Sequence, residues 1–244
     1  MYIHDIHVLW YFFIGLLGIF VGQFLDWANS RLSNHQRVIS KDFFKQYLPY
    51  FKLNAKLIYP MAIIYIALLF FLGWNIKLIE FMILAPMFFS AFVIDYRKQI
   101  LPNRLTLSMF EVGLVFAFIQ GMTNINMFYD KIFGLLAGGG IFLIITLIGG
   151  LIAGKEAMGF GDVKLMAALG LIFGLVDIIM IAVVSFLLGA IISIFLLATK
   201  KKKSDEYIPF GPFIIMATFI VLFVPQNIML LVLLKIFTVG MYKE

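Results

Sequence analysis

The chain is dominated by long apolar stretches that carry no charged side chain. The clearest is residues 132–154, and residues 8–24 and 57–76 are also uncharged. A helix needs about 20 predominantly apolar residues to cross the hydrocarbon core of a bilayer. Eight apolar segments can be delimited: 8–24, 57–76, 78–94, 105–123, 132–154, 165–176, 178–199 and a last one within 207–234. The third carries only Glu80 and the fourth only Glu111.

The composition supports the same interpretation. Hydrophobic residue types make up 63% of the 244 residues and charged types only 13%. Because a soluble domain averages about 45–50% apolar and about 25% charged residues, a soluble enzyme is excluded. The 28 Phe exclude a disordered chain, since disordered segments are poor in aromatic residues. We predict an all-α polytopic membrane protein, a single integral-membrane domain over residues 1–244 with a bundle of about eight transmembrane helices.

The sixth segment, residues 165–176, is short because Asp177 follows it. A run of about 10–14 apolar residues is typical of a re-entrant helix as well as of a buried one. If segments six and seven form a re-entrant pair, the number of full spans falls to six. The sidedness of the chain after them is unchanged, because two crossings are removed together.

The basic residues predict the orientation. Fifteen of the 19 Lys and Arg residues fall in four alternate loops, and four fall on the other side. Because cytoplasmic loops carry an excess of Lys and Arg, we expect the basic loops in the cytoplasm and the N-terminus outside. The protein is then a multi-pass protein of the cytoplasmic or inner membrane. Residues 1–7 lack the features of a cleavable signal peptide. The basic loops are 27–56, 97–104, 155–164 and 200–203.

Five carboxylates lie at or near membrane depth: Glu80, Asp95, Glu111, Asp162 and Asp177. A central Asp costs about 2.5–3.5 kcal/mol on an insertion scale, so such residues are candidates for function. Glu80 and Asp177 fall at outer ends of spans, where water is near and a structural role is expected. Glu111 lies about two turns into its span, where we expect it to hydrogen-bond inside the bundle.

Asp95 and Asp162 differ from the others, because the predicted topology places both at the same cytoplasmic membrane boundary. Two neighbouring carboxylates can share one proton. The protonated one can polarise a peptide carbonyl while the ionised one takes a proton from water. The chain has no Cys that could act as a nucleophile. Two local alternatives stay open: Asp95 pairs with a nearby Arg, and Asp162 caps a helix that begins at Val163.

Three blocks of sequence carry a family resemblance: DYRKQILPN at 95–103, EAMGFGDVKLMAALG at 156–170 and IPFGP at 208–212. In order and spacing they resemble the type IV prepilin peptidase family, membrane aspartic proteases of the GxGD type. Residues 18–32 are more loosely similar to the first helix of the bacterial prepilin leader peptidases.

The resemblance implies that Asp95 and Asp162 are catalytic and cleave the basic leader of prepilins or pseudopilins at the cytoplasmic membrane face. It also implies that the backbone at Gly159 and Gly161 binds an extended substrate. Three nearby charged residues are candidates for orienting the leader. They are Lys155, Glu156 and Lys164. The partners expected are these substrates and the lipid bilayer, with no nucleic acid.

Many bacterial members of the family also N-methylate the new N-terminus with S-adenosylmethionine. In those proteins the first cytoplasmic loop carries paired Cys-x-x-Cys elements, consistent with a zinc site. The corresponding loop, residues 27–56, has no Cys. We therefore expect no metal site and no cofactor for proteolysis, and S-adenosylmethionine only if the chain methylates.

Two other classes of function are compatible with part of the pattern. A proton-coupled transporter or channel could use Asp95, Glu111 and Asp162 as a relay, although carriers place their sites near the midplane of the bilayer. A catalytically silent membrane scaffold is the third class. Within the protease class, an archaeal-type or presenilin-like enzyme with other substrates is the alternative.

Overall fold

The computed structural model describes residues 2–3, 6–34, 36, 38, 45, 47, 54–154, 158–199 and 208–237. The described part contains nine α-helices and one short antiparallel hairpin, β1 (Tyr2–Ile3) and β2 (Ile6–His7). The helices are α1 (Val8–Leu32), α2 (Ala55–Leu72), α3 (Ile76–Lys98), α4 (Asn103–Thr123), α5 (Ile125–Ala153), α6 (Phe160–Phe173), α7 (Leu175–Ala198), α8 (Gly211–Phe223) and α9 (Gln226–Phe237).

Six of these helices, α1 to α5 and α7, are long and apolar enough to cross a membrane. The prediction of an all-α polytopic membrane protein is therefore confirmed. The sixth apolar segment forms the short helix α6, of 14 residues. The chain separates into two compact units, Met1–Val112 and Gly113–Glu244, and each is described by itself. The single domain over 1–244 stays a prediction.

The last apolar segment differs from the single span that we predicted. It forms two short helices, α8 and α9, that are separated at Val224 and Pro225. Val224 is extended, with φ −98° and ψ 126°. A residue before proline is disfavoured in the helical region, because the proline ring collides with its backbone. Pro225 thus divides a continuous apolar run that hydropathy alone predicts to be one helix.

In the first unit, glycines bring α1 close to α2. A Cβ atom on Gly18 would lie 2.7 Å from the Cα of Ala62, and one on Gly22 would lie 2.8 Å from the Cα of Ile58. Small residues at such positions let two helix backbones approach closely inside a membrane. The Tyr65 hydroxyl donates a 2.6 Å hydrogen bond to the Met82 carbonyl and so connects α2 to α3.

The second unit is organised by a similar contact between α5 and α6. Gly134 faces Gly170, and Gly138 faces the Met166 carbonyl, so the two helices run antiparallel. A Cβ on either member of the first pair would overlap the backbone of the other helix. Of the glycines at 138–140, the first two face α6 whereas Gly140 faces open space.

The turn between α6 and α7 is held by two charged residues of α5. The Lys131 ammonium, which is buried, donates a 2.7 Å hydrogen bond to the Ile172 carbonyl in the last turn of α6. The Asp130 carboxylate accepts a 3.2 Å hydrogen bond from the Leu175 N–H at the start of α7. Each charge has the sign that the adjacent helix dipole favours. Asp130 and Lys131 thus fix the end of α6 that lies opposite to Asp162.

Candidate aspartate site

Asp95 lies in the last turn of α3 and is only 4% exposed. It ends a buried stripe of that helix, with Leu84, Phe88 and Ala91 at spacings of three and four residues. The helix stops because Gln99 adopts a left-handed conformation, with φ 55°, and its N–H donates a 2.8 Å hydrogen bond to the Asp95 carbonyl. Asp95 is therefore a buried carboxyl group at the end of a mostly apolar helix face.

Asp162 lies in the first turn of α6 and is 3% exposed. The N-cap is Gly159, with φ −67° and ψ 137°, and the helix begins at Phe160. The alternative in which Asp162 caps a helix beginning at Val163 is therefore wrong, because the glycine already turns the chain into the helix three residues earlier. The carboxylate sits at the third helical position, beside the positive end of the helix dipole.

Both aspartates are thus withdrawn from the surface, each within its own unit. Acidic side chains are almost never fully buried unless they are paired. Both carboxylates lie at helix ends, Asp95 at the end of α3 and Asp162 at the start of α6. The pairing of Asp95 with Asp162 across the two units stays a prediction.

The structure describes three of the five predicted substrate-binding residues. Gly159 is extended and half-buried, and its carbonyl accepts a 3.0 Å hydrogen bond from the Asp162 N–H. Gly161 is instead the second residue of α6. Lys164 is exposed, and its ammonium lies 5.9 Å from the centre of the Phe160 ring. Lys155 and Glu156 lie outside the described residues.

Two other carboxylates differ from expectation. Glu80, expected near water, is only 1% exposed, because it begins the same buried stripe of α3 that contains Leu84. Glu111, expected inside the bundle, is exposed, because it lies on the outward stripe of α4 with Leu107 and Val115. Asp177 accepts a 2.6 Å hydrogen bond from the Gln226 amide and so connects α7 to α9.

An aromatic cluster in the second unit was not anticipated. Phe142 of α5 and Phe186 of α7 have ring centres 5.5 Å apart, and Phe210 lies 6.1 Å from the first and 5.2 Å from the second. Phe210 belongs to the IPFGP block, so that block is anchored on two helices. Phe142 is fully buried, and the α5–α6 register places it at the level of Asp162. Phenylalanines in apolar helices are typical of lipid-facing positions, so the helices themselves did not predict this cluster. The resemblance of the IPFGP block was its only indication in the sequence.

Within the described residues, no group of three or more His, Cys, Asp and Glu side chains is arranged to hold a metal ion.

Comparison with known proteins finds a matching family model and several relatives. Residues 82–194 match the model of the type IV leader peptidase family. A relative from Aeromonas hydrophila is 35% identical over 129 residues, which cover 53% of this chain and 43% of the relative. One from Escherichia coli (strain K12) is 35% identical, covering 52% and 55%, and one from Legionella pneumophila is 32% identical, covering 62% and 52%.

All three relatives are described as prepilin leader peptidase/N-methyltransferase. The chain spans about half the length of these relatives. No solved structure matches it. The matched segment contains both buried aspartates and the glycines before Asp162. Through residues 82–194, the chain is similar to the type IV leader peptidase family.

Proposed function

We propose that this protein is a membrane aspartic endopeptidase that cleaves the basic leader of type IV prepilins or pseudopilins. Asp95 and Asp162 are its two catalytic carboxylates. The observation that carries the proposal is the burial of both at helix ends inside the segment that matches the family.

The connectivity supports a common location for the two carboxylates. α4 and α5 separate Asp95 from Asp162 along the chain, and each is long enough to cross the bilayer. Two crossings return the chain to the side from which it started. Positive-inside asymmetry makes that side the cytoplasm, since Arg97 and Lys98 lie within three residues of Asp95.

The chemistry needs one ionised and one protonated carboxylate. The ionised group takes a proton from water, whose oxygen attacks the scissile carbonyl carbon. The protonated group donates a hydrogen bond to the carbonyl oxygen and stabilises the tetrahedral intermediate. Collapse of the tetrahedral intermediate breaks the C–N bond, and the leaving amine receives the proton that the first carboxylate took from water. One new carboxyl end and one new amino end result, and the pair returns to its single shared proton.

The location suits a substrate that is itself anchored in the membrane. A basic leader followed by an apolar helix places its scissile bond where lipid meets cytoplasm. The helix need not leave the bilayer if the carboxylates lie at that depth. The extended backbone at Gly159 offers a surface for an unwound substrate segment beside Asp162.

Methyl transfer is not part of the proposal. The relatives' names include N-methyltransferase, for which S-adenosylmethionine would be the methyl donor. This chain contains no Cys, so it cannot form the thiolate metal site that the resemblance associates with methylation.

The test is cleavage of a purified prepilin by the full chain in lipid nanodiscs. Asp95→Asn and Asp162→Asn are each expected to lower the rate at least about 100-fold, within the usual range for a lost acid or base. Glu111→Gln serves as the matched control, because Glu111 is exposed. Near wild-type cleavage by either Asn variant would refute the dyad, and absence of cleavage by the wild type would favour the proton relay instead.

The membrane face is testable by labelling, because the chain has no Cys. A cysteine at Asn124 is expected to react with an impermeant reagent on intact cells, whereas one at Ser204 is expected to stay protected. The reverse pattern would invert the proposed topology.

A further inference from the structure

A small polar cleft opens in the first unit between the end of α1 and the end of α3. Its volume is about 250 Å³. Asp26, Asn29 and Ser30 line it from α1, and Ile94, Arg97 and Lys98 line it from α3. Ile94 directly precedes Asp95, so the cleft lies beside the helix end that carries one of the two aspartates.

Asn29 is the unusual member of this cleft. Its side chain is only 7% exposed, and neither its amide oxygen nor its amide nitrogen has a hydrogen-bond partner. Buried polar side chains nearly always have one. Neighbouring groups are engaged: the Asp26 carboxylate accepts from the Asn54 amide at 3.0 Å, and the Lys98 ammonium donates to the Asn34 amide oxygen at 3.1 Å.

We propose that this cleft binds an extended stretch of the substrate polypeptide, with the Asn29 carboxamide pairing with the N–H and C=O of one substrate residue. This inference rests on the proposed function. A carboxamide presents a donor and an acceptor side by side. An extended residue presents its own N–H and C=O toward the same side, so two hydrogen bonds satisfy both groups at once.

Charged ligands fit the cleft less well than a neutral backbone. A phosphate accepts hydrogen bonds only, so it would leave the Asn29 oxygen unsatisfied. An ammonium group donates only, so it would leave the Asn29 nitrogen unsatisfied. The charges nearby are also mixed in sign, with Asp26 opposite Arg97 and Lys98. A peptide group is the common biological ligand that carries both a donor and an acceptor without charge.

The first experiment compares Asn29→Leu with Gln23→Leu in the full chain, in nanodiscs, on a synthetic peptide with a basic leader and an apolar segment. Gln23 is the matched control, because it is a buried amide of the same helix with an unpartnered nitrogen but does not line the cleft. Asn29→Leu is expected to raise KM about tenfold, as loss of two hydrogen bonds would, with kcat within about twofold. Thermal stability should not fall, since an unpaired buried amide is removed. Gln23→Leu should keep the wild-type KM.

The second experiment alters the substrate instead, and it stays informative if Asn29→Leu folds poorly. Single N-methyl groups are placed along the peptide backbone. One position is expected to raise the wild-type KM about tenfold and to have no further effect on Asn29→Leu, because both changes remove the same contact. A flat N-methyl scan on the wild type, or an unchanged KM in folded Asn29→Leu, overturns the inference.

Two further measurements distinguish this inference from binding of a lipid headgroup and from the proposed function. If the KM difference between wild type and Asn29→Leu appears only with anionic lipid in the nanodisc, the cleft binds a headgroup and the inference is overturned. Binding of a fluorescent peptide, read by anisotropy in an Asp162→Asn background, is expected to weaken about tenfold with Asn29→Leu. If the wild type binds this peptide through Asn29 without cleaving it, the proposed function fails and the cleft assignment stands.

Discussion

The two aspartates occupy opposite positions relative to their helices. Asp95 ends α3, after a buried apolar stripe, whereas Asp162 lies in the first turn of α6. A helix dipole stabilises an anion near its N-terminus and disfavours one near its C-terminus. Under the proposed mechanism, this difference distinguishes the roles of the two side chains. Asp162 would then activate water, and Asp95 would polarise the carbonyl.

The sharpest way to break this comparison is to rank the two Asn variants. Both should lose at least about 100-fold in kcat/KM, but Asp95→Asn should retain the higher residual rate. An Asn amide can still donate a hydrogen bond to the substrate carbonyl, whereas at Asp162 it cannot accept a proton from water. Single-turnover cleavage at high enzyme concentration measures the residual rates of both Asn variants. A lower residual rate for Asp95→Asn would reverse the assignment of roles.

The next prediction concerns the packing that positions α6. Gly170→Ala would place a Cβ against the backbone of Gly134, so the helices must separate. We expect a cost of about 3 kcal/mol, the upper end for overpacking, because backbone rather than a flexible side chain is in the way. Gly140→Ala adds the same atom in open space and should leave the unfolding free energy unchanged. Titration into denaturing detergent measures both variants, and equal midpoints would show that the α5–α6 contact is not tight.

These comparisons show how far the sequence alone could go. Charge-free runs predicted the long helices because burial of the backbone in lipid permits little else. They could not show that Pro225 divides the last run, since hydropathy does not register φ restrictions. Nor could they show that Glu80 faces inward and Glu111 outward, because the direction of a side chain depends on which neighbouring helix covers that stripe.

The candidate site was predictable to a similar degree. A family resemblance pointed to Asp95 and Asp162, and the structure buries both. Asn29 gave no signal, because a polar residue near the end of a span reads as a surface residue. Asn29 becomes a candidate only in the structure, where its buried amide has no hydrogen-bond partner. The sequence also did not distinguish Phe142 from the many other phenylalanines of the spans.

A smaller effect is expected from the glycines before Asp162. Gly161→Val should reduce kcat/KM by at least about tenfold, which is about 1.4 kcal/mol of transition-state stabilisation, because the branched side chain hinders approach of an extended substrate. Gly161 is helical, with no positive φ, so the variant should melt normally. Normal cleavage combined with early melting would instead make Gly161 a residue of the turn alone.

The smallest predicted effect lies at the opposite end of α6, where no catalytic group is proposed. Asp130→Ala removes the carboxylate that accepts from the Leu175 N–H at the start of α7, and should cost about 1 kcal/mol of unfolding free energy. Asp130→Asn keeps an accepting oxygen but loses the charge, so about half of that cost is expected. The kcat of both variants should match the wild type at a temperature where they stay folded, because the contact of Gly138 with the Met166 carbonyl holds α6 nearer to its first turn. A drop in kcat without a change in the unfolding midpoint would mean that the α6–α7 turn transmits its geometry to Asp162, and the two ends of α6 could no longer be treated as independent.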